Sequence, residues 1–172
     1  MAPSPFVVEW VTRLQPRASG VQRALDVAMG RGRHALVLAR AGFWTFGVDI
    51  KLAAVRDAVF AASQEHLRVA GWCADLTQHP LPRARFDLIV VTRYLQRDLF
   101  SALRDALAPG GVVLYETFTV AQRAHGVGPT SPDHLLEPGE LRARFDELEV
   151  VMYEEVSAPE AVAHLVARRV QV

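Results

Sequence analysis

Apolar runs alternate with helical patterns along the chain, the arrangement expected of βαβ units in which helices cover a mostly parallel sheet. Ser4 and Pro5 suit an N-cap and a first helical position. Phe6, Val7, Trp10, Val11 and Leu14 then share one face of a short opening helix that ends before Pro16. The first strand is expected over Gln22–Val27. A helix from about Gly32 stops at Gly42, and a second strand runs from Trp44 to Asp49. Lys51–Ala62 reads as the next helix and Leu67–Trp72 as a third strand. Phe86-Asp87-Leu88-Ile89-Val90-Val91 is a nearly continuous apolar run, as expected of a strand buried on both faces at the middle of a parallel sheet. Leu95, Leu99, Leu103 and Leu107 recur at helical spacing, and Pro109-Gly110-Gly111 ends that helix and turns into a fifth strand, Val112–Phe118.

The tail changes character. Val120–Glu137 scatters Gly, Pro, Ser and His over a length that suits a lid above the carboxyl edge of the sheet. Pro138 opens a brief helix through Phe145, and two closing strands, about Glu149–Glu154 and Val162–Val170, are placed to pair antiparallel. The expected architecture is a parallel sheet closed by a hairpin, in a single domain over 1–172 with a helical cap at 1–20 and a lid or insertion at 119–146.

Composition narrows the class. The 172 residues suffice for one domain that buries a core on both faces of a sheet. Although 51% of residues are apolar, charges interrupt every long apolar run, and Met-Ala-Pro-Ser-Pro lacks the basic start of a signal peptide. One cysteine, Cys73, excludes an internal disulfide and fits a reducing, cytoplasmic setting; beside Trp72 it is expected to be a small buried thiol. Lysines and arginines balance aspartates and glutamates at 19 each, without a block of like charge, so there is no electrostatic footprint for nucleic acid or an anionic membrane. The six histidines show neither His-x-x-x-His nor a Cys/His cluster, so no metal is expected.

Candidate chemistry centres on Ala24–Ile50. Gly30-Arg31-Gly32-Arg33-His34-Ala35 satisfies the dinucleotide pattern G-x-G-x-x-G/A, yet it also lies within Asp26-x-Ala28-x-Gly30-x-Gly32, which suggests a different nucleotide. In an open α/β sheet, ligands lie outside the carboxyl ends of the strands where strand order reverses. Gly30 and Gly32 follow the first strand and let the backbone approach a ligand. Asp49 ends the second strand, where a carboxylate accepts both ribose hydroxyls. Asp75, after the third, is placed to accept from the exocyclic amine of adenine. A pyrophosphate would sit on the helix N-terminus near Arg31 and Arg33; a sulfonium ligand would instead bring an ammonium to Asp26. No Tyr-x-x-x-Lys pair exists, since Lys51 is the only lysine, so a nicotinamide-dependent oxidoreductase is the lesser reading.

"LDVAMGRGRHALVLARAGFWTFGVDI", "CADL", "FDLIVVTRYLQRDLF", "LAPGGVVLYETF" and "LLEPGELRARF" together resemble class I S-adenosylmethionine-dependent methyltransferases, especially small bacterial proteins of the methyltransferase-domain group that includes the tellurite-resistance type. The resemblance runs over nearly the whole chain. It implies a Rossmann-like, doubly wound, three-layer αβα fold with seven strands, the seventh antiparallel, and S-adenosylmethionine as cofactor. It also implies that Asp26, Ala28, Gly30 and Gly32 border the methionine part, Asp49 and Ile50 the ribose and adenine face, Asp75 and Leu76 the adenine edge, and Thr92 and Arg93 the methyl-donor side. Two positions depart from the pattern. Ala28 replaces a frequent glycine, acceptable at negative φ, and Arg33 takes the third small-residue position, pointing into solvent from the helix start.

Methyl transfer from a sulfonium is an in-line displacement that relies on placement, and a general base is needed only when the nucleophile arrives protonated. Tyr94 and Arg97 after the fourth strand, Glu116 at the end of the fifth, and Arg123 and His125 in the following loop are the residues best placed to meet a substrate. Tyr94, Glu116 and His125 are the catalytic candidates. Each has a plain structural alternative: Tyr94 packing under the lid, Glu116 in a local ion pair with Arg93 or Arg97, His125 at the surface. The reading is a methyltransferase acting on a small molecule or metalloid oxyanion. A binding or scaffold module with the same fold is the alternative.

Overall fold

The computed structural model describes residues 2–16 and 20–171; the part of the expected helical cap at residues 1 and 17–19 lies outside them. Helix α1 (Pro5–Arg13) precedes β1 (Arg23–Val27), α2 (Arg33–Arg40), β2 (Trp44–Asp49), α3 (Leu52–Gln64) and β3 (Val69–Cys73). Then follow β4 (Phe86–Thr92), α4 (Phe100–Ala106), β5 (Leu107–Phe118), α5 (Glu140–Arg144), β6 (Glu149–Val156) and β7 (Val162–Arg168). The seven strands form one sheet in the order β3-β2-β1-β4-β5-β7-β6, parallel throughout except that β7 runs antiparallel to both β5 and β6. Strand order reverses between β1 and β4, and in open α/β sheets the carboxyl ends of the strands at such a reversal are where ligands bind.

β4 sits at the centre because its alternate residues are apolar on both sides. Leu88 and Val90 pack with Phe6, Val7, Val11 and Leu38 under α1 and α2. Ile89 and Val91 pack with Leu99, Phe100, Leu103, Leu141 and Phe145 under α4 and α5. The four leucines at helical spacing are all buried, but the α-helix carries only Leu103. Leu99 closes a 3-10 turn (Arg97–Leu99) and Leu107 already belongs to β5. Pro109-Gly110-Gly111 is therefore no helix end. It lies inside β5, where Leu107 pairs with Phe86 and the register shifts before Leu88 meets Val112.

The connection from β3 to β4, residues 74–85, holds no helix, so the outer sheet is thinly covered there. β3 is an edge strand, and Cys73 at its end is exposed, with its thiol donating to the Ile50 carbonyl at 3.3 Å; it is not the buried thiol expected from the sequence. The segment expected to be a lid or insertion, called the lid below, contains two 3-10 turns, Val120–His125 and Pro132–His134. It is pinned by the fully buried Leu135 and Leu136, and by Gln122, whose amide donates to the Val127 carbonyl and accepts the Ala161 N–H.

Candidate cofactor crevice and acceptor pocket

The glycine loop closes between β1 and α2. Gly32 has φ +79°, and a Cβ there would lie 2.7 Å from the Ala58 Cβ, so only glycine admits the tight approach of α2 to α3. Ala28 has φ +53°, not the negative value expected; an L-residue is held in the left-handed region directly after β1. Arg93, directly after β4, has φ +52°. Two non-glycine residues in that region flank the crevice at its two central strands, a concentration of strain typical of ligand sites.

Asp26 is fully buried. Its Oδ2 accepts the Ala35 N–H at 2.8 Å, at the first turn of α2, while Oδ1 is the one buried side-chain polar atom without a hydrogen bond among the described residues. Burial pushes its pKa up to about 7, against the opposing pull of that N–H and of Arg33. Asp49 accepts the Gly30 N–H at 2.8 Å through Oδ2 and the Lys51 N–H at 2.9 Å through Oδ1. Each of its oxygens keeps a second lone pair for a ligand hydroxyl. Asp75 is held by the Thr77 hydroxyl and N–H, which keep its carboxyl below the ordinary range. Ile50 is 61% exposed at the rim, and Leu76 is half-buried against the core.

These placements discriminate between the two nucleotide readings. A pyrophosphate needs free loop N–H groups at a helix N-terminus. Here the Gly30 N–H is donated to Asp49, the Gly32 N–H to the Met29 carbonyl, and the first turn of α2 is capped by the Asp26 carboxylate. A phosphate would meet an acid there. An ammonium would instead give Oδ1 of Asp26 its missing partner, so the residues fit the amino-acid end of S-adenosylmethionine.

Thr92 and Arg93 differ from each other. Thr92 is buried and bonds its hydroxyl to His34 Nδ1 at 3.0 Å. The Ser4 N–H donates to His34 Nε2 at 3.0 Å, which places the ring proton on Nδ1; burial pushes this histidine down to about 4, so it is neutral. Arg93 lies over the Phe118 ring and pairs with Glu160 from the β6–β7 turn. Tyr94 is half-buried and its hydroxyl bonds Gln96. Burial raises its pKa, and the charges of Asp75, Asp98 and Asp49 push the same way.

Glu116 is buried on the α1 face of β5, where its Oε2 accepts the Ser4 hydroxyl at 2.6 Å and His164 Nε2–H at 3.1 Å. It thus pairs with neither Arg93 nor Arg97. Those two bonds hold its carboxyl below the ordinary value although burial opposes them. Strand register brings Glu116, His164 and Glu154 side by side on β5, β7 and β6, and His164 stacks flat on Phe6 with centroids 4.5 Å apart. Ser4, Phe6, Arg33, Arg93, Glu116 and His164 contribute to the walls of an open pocket of about 490 Å³. Arg33 does not point into solvent: it is half-buried, with its guanidinium donating to the Ala2 carbonyl at 3.0 Å.

The remaining candidates fall elsewhere. His125 closes a 3-10 turn of the lid, exposed, and the fold does not bring it into hydrogen-bond contact with Glu116 or Tyr94. Arg123 braces the lid through the Thr130 carbonyl. Arg97 forms a two-pronged ion pair with Glu140 at 2.7 and 2.9 Å and reaches the Leu135 carbonyl. Sequence reasoning missed Ser4 as a side-chain partner, together with His34 and His164. Their contacts with one another and with Glu116 and Thr92 span 30 to 112 residues, and no local pattern marks them.

Comparison with known proteins bears on the family and the fold. Residues 24–111 match the family model described as a methyltransferase domain. No curated protein matches the sequence. Among solved structures, TehB from Haemophilus influenzae superposes with a TM-score of 0.78 at 16% identity, over 97% of this chain and 62% of that one. An S-adenosylmethionine-dependent methyltransferase from Methanosarcina mazei gives 0.74 at 16% over the whole of both chains. Another, from Mesorhizobium loti, gives 0.73 at 20%, over 94% of this chain and 98% of that one. The family match establishes that the chain belongs to the methyltransferase-domain family, and its strand order with the antiparallel β7 gives it the fold of the S-adenosylmethionine-dependent methyltransferases on which it superposes.

Proposed function

We propose that this protein transfers a methyl group to a small-molecule acceptor bound between the N-terminal segment and the β6–β7 turn. The observation that carries the reading is the orphaned, buried Oδ1 of Asp26 beside a glycine loop whose N–H groups are already engaged. S-adenosylmethionine supplies an electrophilic methyl on a sulfonium when bound. Asp26 holds its ammonium, Asp49 its ribose, and Asp75 and Ile50 its base, while Tyr94 shields the nucleoside side from water. Neutral His34, bonded to Thr92, holds the Ser4 backbone beside the acceptor pocket, and Glu116 is a braced carboxylate in the pocket lining. The balanced charge of the chain supports a small-molecule partner over nucleic acid, and its lone cysteine supports a cytoplasmic setting. No helix among the described residues is long and apolar enough to cross a membrane.

The test is thermal unfolding with S-adenosylmethionine, S-adenosylhomocysteine and NAD(P) in parallel. A ligand at about 100 times its Kd stabilises by about 2.7 kcal/mol, which at this size moves the midpoint about 5 to 10 °C. Only the adenosyl-sulfur ligands are expected to shift it. A shift with NAD(P) alone overturns the reading, and a shift with none of them points to a binding or scaffold module. Asp49→Ala removes a charge-assisted contact worth about 1.5 to 3 kcal/mol and is expected to weaken S-adenosylhomocysteine binding at least tenfold by calorimetry. Unchanged affinity would remove Asp49 from the ribose site.

A further inference from the structure

The pocket beside Glu116 has more chemistry than placement alone requires. Both bonds to the carboxylate, from Ser4 and from His164, end on Oε2; among the described residues Oε1 takes none, although Glu116 lines the pocket. Opposite charge stands close by: Arg33 lines the same space, forms no ion pair among the described residues, and is near enough to feel Glu116 electrostatically. Arg93 and Glu160 neutralise each other across the mouth. The rest of the wall is apolar, with Pro3, Pro5 and Phe6 from the N-terminal segment facing Val156 and Val162 from β6 and β7. At about 490 Å³ the space lies within the range of small-molecule sites.

Each class of acceptor meets a different outcome there. A carboxylate or other oxyanion is drawn to Arg33 but repelled by Glu116. An ammonium meets the reverse. A neutral molecule with a protic group donates to Oε1, and its deprotonated form is stabilised by the guanidinium. Glu116 is held as a weakly basic carboxylate, so it relieves only a nucleophile that is itself acidic. Thiols and phenols, which ionise near about 8.5 and 10, meet that condition better than aliphatic alcohols.

We infer that this pocket is the methyl-acceptor site and that it takes a small, neutral, largely apolar molecule bearing a thiol or phenol, with Glu116 Oε1 receiving its proton and Arg33 favouring its anion. The inference rests on the reading of the chain as a small-molecule methyltransferase. In the step it serves, the acceptor sulfur or oxygen forms the bond to the methyl carbon. The sulfonium–carbon bond breaks with its electron pair staying on the donor sulfur, and the acceptor proton passes to Glu116 Oε1 and then to water. A metalloid oxyanion is disfavoured by the same carboxylate.

The experiment is calorimetry on the full chain saturated with S-adenosylhomocysteine, using four probes of one size: 4-methylphenol, 4-methylbenzenethiol, benzoate and benzylamine. The phenol and the thiol are expected to bind at least tenfold tighter than the two ions. Val156→Trp, which fills the pocket from β6, is expected to abolish phenol binding and leave S-adenosylhomocysteine binding unchanged. Glu116→Gln is expected to raise benzoate affinity at least tenfold by removing the opposing charge. Equal or tighter binding of benzoate or benzylamine by the wild type overturns the acceptor class, and phenol binding that survives Val156→Trp overturns the location. If S-adenosylhomocysteine binds and none of the probes does, the inference falls while the methyltransferase reading stands. If S-adenosylhomocysteine itself fails to bind, both fall.

Discussion

Asp26 is a buried acid with one satisfied oxygen and one orphan, and its raised pKa makes it a proton-linked binding group. Its proton is held more tightly folded than unfolded. The stability this contributes to the ligand-free protein is full below the ordinary value of 3.8 and is lost as pH rises through about 7. Pairing with an ammonium requires the carboxylate, so at pH 6 S-adenosylhomocysteine binding is expected to release a proton, and above pH 8 to release almost none. Calorimetry in two buffers of different ionisation heat measures this, and Asp26→Asn should show no such release at pH 6. A wild type without release would separate Asp26 from the ammonium. Ala28 offers a second residue-level prediction. Its φ of +53° costs an L-residue about 1 to 2 kcal/mol, while glycine adds about 0.4 to 1 kcal/mol of unfolded-state entropy, so Ala28→Gly is expected to stabilise by about 0.5 to 1 kcal/mol in urea unfolding. A loss of stability would mean the Ala28 methyl contributes packing that outweighs the backbone strain.

Among the elements, the lid is the one whose position the periodicity of the chain does not reveal. It is anchored by Leu135 and Leu136 in the core and tied to the strand 4 side by Arg97, which grips Glu140 and the Leu135 carbonyl together. Glu140 is mostly shielded from water, with 12% of its side chain exposed, so the pair is screened less than a surface ion pair. A double-mutant cycle on Arg97→Ala and Glu140→Ala is expected to show coupling of about 1 kcal/mol or more, and Arg97→Ala to speed proteolysis within 120–137. Coupling near zero would assign the lid's position to the leucines alone. Helix α4 shows how far pattern reading reaches: all four leucines it used are buried, yet they are shared among a loop, a 3-10 turn, a helix and a strand.

At the scale of the whole molecule, the N-terminal segment, helix α2 and closing hairpin are joined by one polar chain, Thr92, His34, Ser4, Glu116, His164 and Glu154, buried from Thr92 to Glu116 and reaching solvent at Glu154. His164, faced by Glu116 and Glu154, with Phe6 stacked on it and the Glu9–Arg13 pair of α1 beside the same groove, has its pKa raised by the two carboxylates against burial. The stability it adds is full below its unfolded value of 6.5 and is lost as pH rises through its folded value. Glu116, shifted the opposite way, contributes above its ordinary value of 4.5 and loses that contribution as pH falls through its folded value. The deficit of His164→Gln relative to wild type, read from urea unfolding, is therefore expected to be largest between about pH 5 and 6.5 and to shrink on both sides. A deficit independent of pH would reduce His164 to packing on Phe6.

Period and punctuation along the chain were sufficient for the strands and helices, the glycine loop and the acids at the carboxyl ends of β1, β2 and β3, because each is marked by the apolar period or the turn residues of its own segment. The alternation of those segments then implied the parallel sheet and the closing hairpin. Local sequence alone left the ligand of that loop undecided. G-x-G-x-x-A is compatible with a pyrophosphate or an amino-acid head group, and the answer lies in where the Gly30 and Ala35 N–H groups point, which depends on Asp49 and Asp26 folding back onto them. The sign of φ at Ala28, the inward turn of Arg33 and the exposure of Cys73 likewise follow from neighbours distant in sequence. Glu116 was visible as an acid at a strand end. Its two donors come from positions 4 and 164, and only the stacking of α1 on β5 and β7 makes it a braced carboxylate, with both bonds on one oxygen, in the lining of a pocket.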